Sequence, residues 1–168
     1  MLSVIDRTII YSGDFDEDLG HNFFREFTVL DKSPLPIHVI CSGSEGGDAS
    51  VCSAMVDLVL NSGNEITSTI YGEVSSCAAL FFMAADHRVM SQRSLLMFHT
   101  GSIGIESDLG QLKKLAEVTD RQAIKDLELL TTEKRGPKYW TDRLKNDGDI
   151  FVFPQQALES GIAHEIYE

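Results

Sequence analysis

The amino-acid sequence predicts an α/β fold, with a mainly parallel sheet covered by helices. Short β-branched runs alternate with amphipathic or apolar helical stretches, and clusters of Gly, Pro, Asn and Ser punctuate them. Strands and helices in this alternation indicate βαβ units with right-handed crossovers, whose functional groups gather in the loops leaving the strand ends.

Each element follows in order. Arg7–Tyr11 is a short β-prone run closed by Ser12-Gly13, and the acidic cluster Asp14–Asp18 leads into a helix with an apolar stripe of Leu19, Phe23, Phe27 and Leu30. Pro34 and Pro36 end that helix. Ile37–Cys41 reads as a buried strand, followed by the glycine-rich loop SGSEGGD and a helix over Ala49–Leu60. After the turn Asn61–Asn64, Ile66–Tyr71 is strand-like, GEVSS forms a second loop, and Ser76–Ala85 is a buried helix. Short strands are expected at Arg88–Met90 and Leu95–His99. The loop TGSIG then precedes the longest helix, Ser107–Lys134, which Gly136-Pro137 stops. A strand at Ile150–Phe153, a helix at Gln155–Ser160 and a strand at Ile162–Ile166 complete the chain. No repeat or interdomain linker interrupts it, so residues 1–168 are expected to form a single domain.

Composition narrows the function. A chain of 168 residues can bury roughly 70% of the surface its unfolded form exposes. Its net charge of −12, from 14 Lys+Arg against 26 Asp+Glu, speaks against a nucleic-acid or anionic-membrane partner, which would need a basic footprint. Cys41, Cys52 and Cys77 lie in or beside apolar runs and form no CxxC pair, which favours a reducing compartment. The N-terminus lacks a secretory signal and no stretch approaches the ~20 apolar residues of a membrane span, so a cytoplasmic protein is expected.

The two loops carry the chemistry. A serine at the start of a helix, such as Ser76, lies beside backbone N–H groups without intrahelical partners and near the positive end of the helix dipole. The same residue also suits a plain strand-to-helix turn, with Ser75, Cys77, Ala78 and Ala79 as small packing neighbours. A nucleophilic serine needs a base. Among five histidines, His21 and His164 lie in polar stretches near the ends, His38 sits in a strand beside a proline and His87 in a charged turn. His99 ends the apolar strand LLMFH and faces a glycine-rich loop, which suits a working base and equally a satisfied, half-buried histidine. No two histidines have zinc-site spacing. Asp149, just before an apolar run, is the favoured orienting carboxylate, with a simple turn role as its alternative. Gly46-Gly47 could donate to an oxyanion because backbone without Cβ can approach a carbonyl, although a glycine pair more often marks a turn.

In the order Gly46-Gly47, Ser76, His99, Asp149, the chain resembles the proteolytic subunit of the Clp ATP-dependent proteases, a crotonase-like fold. GEVSSCAAL is similar to the family's serine segment, with Ser76 four residues after Gly72. MFHTG resembles the histidine segment, and DIFVFPQQALESGI the C-terminal stretch, which puts the acid at Asp149 rather than Asp147 or Asp142. The resemblance runs from RTIIYSG to Ile166 and rests on the order and spacing of its motifs.

What the resemblance implies is peptide hydrolysis through an acyl-enzyme. Ser76 would be the nucleophile, His99 the base, Asp149 the orienting acid, and the backbone N–H groups of Gly47 and Cys77 the oxyanion donors. It further implies stacked seven-membered rings, a tetradecamer, with helix 107–134 as the handle between rings and an AAA+ unfoldase feeding polypeptides. No cofactor or metal is expected in this chain, and ATP would act only through the separate unfoldase. Three departures qualify the likeness. CSGSEGG stands where the family carries N-S-P-G-G, and Cys77 and Ala78 replace a methionine and a glycine. The chain also begins almost at the first strand, without the axial segment that engages the unfoldase. The alternatives are a noncatalytic ring subunit, an acyl-CoA enzyme of the crotonase fold, and a specialised, for example viral, protease working without an unfoldase.

Overall fold

A computed structural model describes residues 1–99 and 121–167. The sheet begins with an antiparallel hairpin, β1 (Leu2–Ile5) and β2 (Thr8–Tyr11), turning through Asp6 and Arg7. It continues through parallel β3 (Ile37–Ser44), β4 (Ile66–Ser75), β5 (His87–Ser91) and β8 (Glu165–Tyr167). Strand β4 is long enough to serve two neighbours along one edge. Its first half pairs with β5, whereas Glu73–Ser75 pair with β6 (Leu95–Phe98), which in turn pairs antiparallel with β7 (Ile150–Val152). The sheet therefore forks, and the upper branch carries the candidate residues.

The helices are α1 (Glu17–Asp31), α2 (Ala49–Leu60), α3 (Cys77–Met83), α4 (121–130 of the described residues), α5 (Pro137–Asp147) and α6 (Pro154–Ser160). Asp16 caps α1 by accepting from the Leu19 N–H, and Asp48 caps α2 by accepting from those of Ser50 and Val51. Those two N–H groups hold the Asp48 carboxyl below the usual carboxylate range. At the other end of α1, the Arg7 guanidinium donates to the carbonyls of Leu30, Leu35 and Pro36, which ties the hairpin to the helix terminus.

Strand β3 shows why one face is covered. Ile37, Val39 and Cys41 are buried while His38 and Ile40 are half-buried, the period of two that a pleated strand imposes. Over the buried face, Tyr11, Phe15 and Phe23 each meet Phe81 of α3 edge-on, with ring centroids 5.2–5.9 Å apart. This cluster anchors the helix that begins next to Ser76.

Several expectations are corrected. GEVSS is not a loop, because Gly72–Ser75 continue β4, and β3 likewise runs on to Ser44. Gly136-Pro137 does not only stop a helix: Pro137 begins α5, where its missing N–H costs nothing and its fixed φ suits the first turn. Strand β1 and helix α5 had no counterpart in the sequence reading. The long helix ends at 130 rather than Lys134, while 107–120 and the loop from Thr100 lie outside the described residues.

Phe81→Ala is expected to destabilise the fold by about 3–5 kcal/mol, since it empties the centre of the aromatic cluster. Denaturant unfolding would measure it, and a cost below about 1 kcal/mol would contradict this account of α3 anchoring.

Candidate active site

The register of the fork determines which residues meet. Ser75 pairs with Met97 across β4 and β6, and the next residue, Ser76, donates its N–H to the Met97 carbonyl at 2.8 Å. His99 follows one residue after β6 ends. Its Nε2 lies 2.7 Å from Ser76 Oγ, within the distance for proton transfer between a nucleophile and a base.

Ser76 has φ 55° and ψ −124°, a conformation that non-glycine residues rarely adopt. It turns the chain sharply from β4 into α3, whose Leu80 N–H returns to the Ser76 carbonyl. Ser75 is different in kind. It is 2% exposed, and its Oγ donates to Glu73 Oε1 at 3.1 Å.

The glycine pair packs against this turn. A Cβ on Gly46 would lie 2.7 Å from Ser76 Cβ and 2.9 Å from the Cys77 nitrogen, and one on Gly47 would lie 2.5 Å from the Phe15 carbonyl oxygen. Both have positive φ, 97° and 144°. Only glycine fits either position. The Phe15 N–H donates to Gly46 O and the Asp48 N–H to Phe15 O, so the loop is pinned on both sides of Gly47. Among the described residues, neither the Gly47 nor the Cys77 N–H is used in a backbone hydrogen bond, the latter because the first helical residue has no intrahelical acceptor.

Asp149 lies one step before β7. The ladder pairs Phe98 with Ile150, which puts Asp149 across from His99, yet Asp149 is exposed and no hydrogen bond or ion pair joins the two. Its sequence competitors are engaged elsewhere: Asp142 pairs with Lys138 and Asp147 with Arg143, each one turn along α5.

Two features escaped the sequence reading. The first is the contact between Cys52 of α2 and Cys77 of α3. The Cys52 thiol donates to the Cys77 carbonyl at 3.2 Å and the Cys77 thiol to the Gly47 carbonyl at 3.4 Å. Hydrogen bonding from Cys52 holds the Cys77 thiol below its ordinary range, and the same contact together with burial pushes Cys52 up. The second is Asp126 on α4, whose charge bears on both thiols and whose Oδ1 accepts from Gln122 Nε2 at 3.0 Å. No spacing in the sequence relates residue 126 to residue 77, and only the packing of α4 beside the turn reveals it.

Residues 2–168 match the family model described as Clp protease. The chain belongs to the Clp protease family. Two curated relatives are each described as "ATP-dependent Clp protease proteolytic subunit 2". The Borreliella burgdorferi protein is 23% identical over 96% of this chain and 83% of its own length. The Treponema denticola protein is 22% identical over 95% of this chain and 81% of its own. A solved ClpP1 mutant from Listeria monocytogenes superposes with a TM-score of 0.84 at 19% identity, covering 96% of this chain and 91% of that one. That likeness shows that the fold is the Clp protease fold, as the order of the motifs predicts. No metal-binding cluster of His, Cys, Asp and Glu occurs among the described residues, and no described helix is long and apolar enough to cross a membrane.

Asp126 gives this Clp protease family member a testable pH signature. Burial raises its carboxyl above the ordinary range, so the native state holds this proton to a higher pH than the unfolded chain does. Stability from this group therefore falls as pH rises from about 3.9, the unfolded value, through the folded one. Asp126→Asn should raise Tm at pH 7 and give no gain near pH 3.5. An equal shift at both pH values would contradict it.

Proposed function

We propose that the chain is the proteolytic subunit of a Clp-type serine endopeptidase that cleaves peptide bonds through an acyl-enzyme. The 2.7 Å contact between Ser76 Oγ and His99 Nε2, at a serine in a strained strand-to-helix turn, carries the reading. In this mechanism Ser76 Oγ attacks the scissile carbonyl while His99 Nε2 takes its proton. The imidazolium then gives that proton to the leaving amine, and water attacks the acyl-enzyme with His99 again as base.

The oxyanion is received by the N–H groups of Gly47 and Cys77, each worth about 3 kcal/mol in comparable sites. Asp149 is the third member. Its place across the ladder from His99 supports the role, in which a bond to Nδ1 would fix the tautomer and stabilise the imidazolium. No cofactor enters this chemistry. The proposal includes self-association into two stacked seven-membered rings, with polypeptide substrates delivered by an AAA+ unfoldase that alone uses ATP. The same protease could also work without one. It would act in the cytoplasm.

The lack of a hydrogen bond between Asp149 and His99 favours a second reading, a ring subunit of the same fold that does not cleave. One experiment separates the two. A serine-reactive phosphonate followed by peptide mapping should label Ser76, and Ser76→Ala or His99→Ala should lower hydrolysis of a fluorogenic peptide by at least about 10³-fold. Absence of labelling in the assembled wild type would favour the noncatalytic subunit, and labelling at another serine would overturn both. Light scattering tests the assembly independently. A large ring is expected, and a monomer at micromolar concentration would contradict it.

A further inference from the structure

The three cysteines do not have equivalent surroundings. Cys41 is fully buried on β3, where burial pushes its thiol up and its side-chain neighbour is Tyr11. Cys52 and Cys77, by contrast, meet across the α2–α3 contact with relative exposures of 4% and 7%. Each thiol donates its hydrogen to a carbonyl of the site: Cys52 to that of Cys77, and Cys77 to that of Gly47. The two sulfurs therefore tie together the two backbone segments that would hold an oxyanion. Cys77 also adjoins the half-buried Ser76, so a small solute that reaches Ser76 Oγ comes within one residue of the Cys77 sulfur.

We propose that Cys52 and Cys77 form a dithiol that hydrogen peroxide converts to a disulfide, and that this bond switches the site off by releasing the Gly47 loop and the start of α3. The switching part rests on the peptidase reading above; the pairing does not. The first step belongs to Cys77. Its thiolate attacks one peroxide oxygen, the O–O bond breaks, and the released hydroxide takes a proton to leave as water, with a sulfenic acid on Cys77. The Cys52 sulfur then attacks the sulfenic sulfur. The S–S bond forms, the S–O bond breaks, and the hydroxyl leaves with the Cys52 proton as a second water. Two thiols and one peroxide give one disulfide and two waters.

The asymmetry of the pair suits these roles. Cys77 is the thiol that ionises first, because the Cys52 S–H beside it can turn from the Cys77 carbonyl to the thiolate, and Cys52 keeps its proton until the sulfenic acid forms. The product carries no S–H, so both carbonyls lose their thiol donors in one event. An S–S bond of about 2.05 Å also draws α2 and α3 closer than non-bonded sulfurs allow. The Gly46-Gly47 loop cannot follow such a shift freely, because Gly46 already packs against Ser76 and Gly47 against Phe15.

The test treats the whole protein with hydrogen peroxide at neutral pH, blocks remaining thiols by alkylation, and maps non-reduced peptides by mass. The expected result is a peptide joining Cys52 to Cys77, with Cys41 alkylated. Peptide hydrolysis should fall at least about tenfold and return on adding dithiothreitol. Cys52→Ser, compared with its own untreated rate, should form no crosslink and resist the same peroxide dose. Absence of the crosslink at doses that consume Cys77 would overturn the pairing. A crosslink with unchanged hydrolysis would overturn the switch, and an equal reversible loss in Cys52→Ser would assign the effect to Cys77 alone. If the reduced protein hydrolyses nothing, the peptidase reading fails and with it the switch; the crosslinked mass still decides the pairing.

Discussion

The strained backbone of Ser76 is the constraint on which the rest of the site depends. A non-glycine residue at φ 55° costs on the order of 1–3 kcal/mol, and it persists only where its surroundings leave the chain no alternative. Here the surroundings act from three sides. The Met97 carbonyl takes the Ser76 N–H, the Leu80 N–H takes the Ser76 carbonyl, and Phe81 locks α3 into the aromatic cluster. The return for that strain is position: Oγ stands clear of both strand and helix, facing the end of β6. The fork of the sheet follows from the same need, since β6 must lie along the upper half of β4 for its carbonyl and then its histidine to reach Ser76.

The glycine pair is the second consequence of that turn. Gly46 packs so closely on Ser76 and Cys77 that any side chain there would push the serine out of its conformation. Gly47 is pressed on the Phe15 backbone in the same way, so the loop from β3 is seated between α1's approach and α3's start. The run CSGSEGG is partly strand, because β3 extends to Ser44. The Ser44 hydroxyl donates to Gly13 O and accepts from the Gly46 N–H.

Much of this was legible in the sequence, and the failures share a cause. Helix α2 is legible because the glycine-rich run SGSEGGD before it and the turn Asn61–Asn64 after it bracket an apolar stretch with Val51, Met55 and Val59. Strand β1 was missed because Asp6 interrupts the run, although as a turn residue with positive φ it makes the hairpin. The end of β4 was missed because Gly72 and Glu73 look like loop residues, yet they are exposed positions on a strand whose partner, β6, is distant in sequence. Helix α5 is polar apart from Tyr139, Trp140 and Leu144, so little periodicity announces it; burying Trp140 against Phe98 stabilises it instead. In each case tertiary pairing overrode a local signal. The candidate site shows the same limit, because order and spacing named Ser76, His99 and the glycines, while the cysteine contact and Asp126 depend on helix packing that no local pattern encodes.

The position of Asp149 follows from packing and not from its own contacts. Phe98 and Ile150 are paired and almost fully buried, and Val152 is buried opposite Leu96. A slip of the β6–β7 register by one residue would turn Ile150 and Val152 outward and bring exposed Phe151 in, which the pleat makes costly for every residue at once. The backbone of Asp149 is thus held across from His99 whether or not the two side chains touch. The exposed carboxylate has no such anchor, so the register determines where the residue stands and not what its side chain touches. The strained serine and the two close-packed glycines are different, because buried neighbours hold both backbone and side-chain positions there.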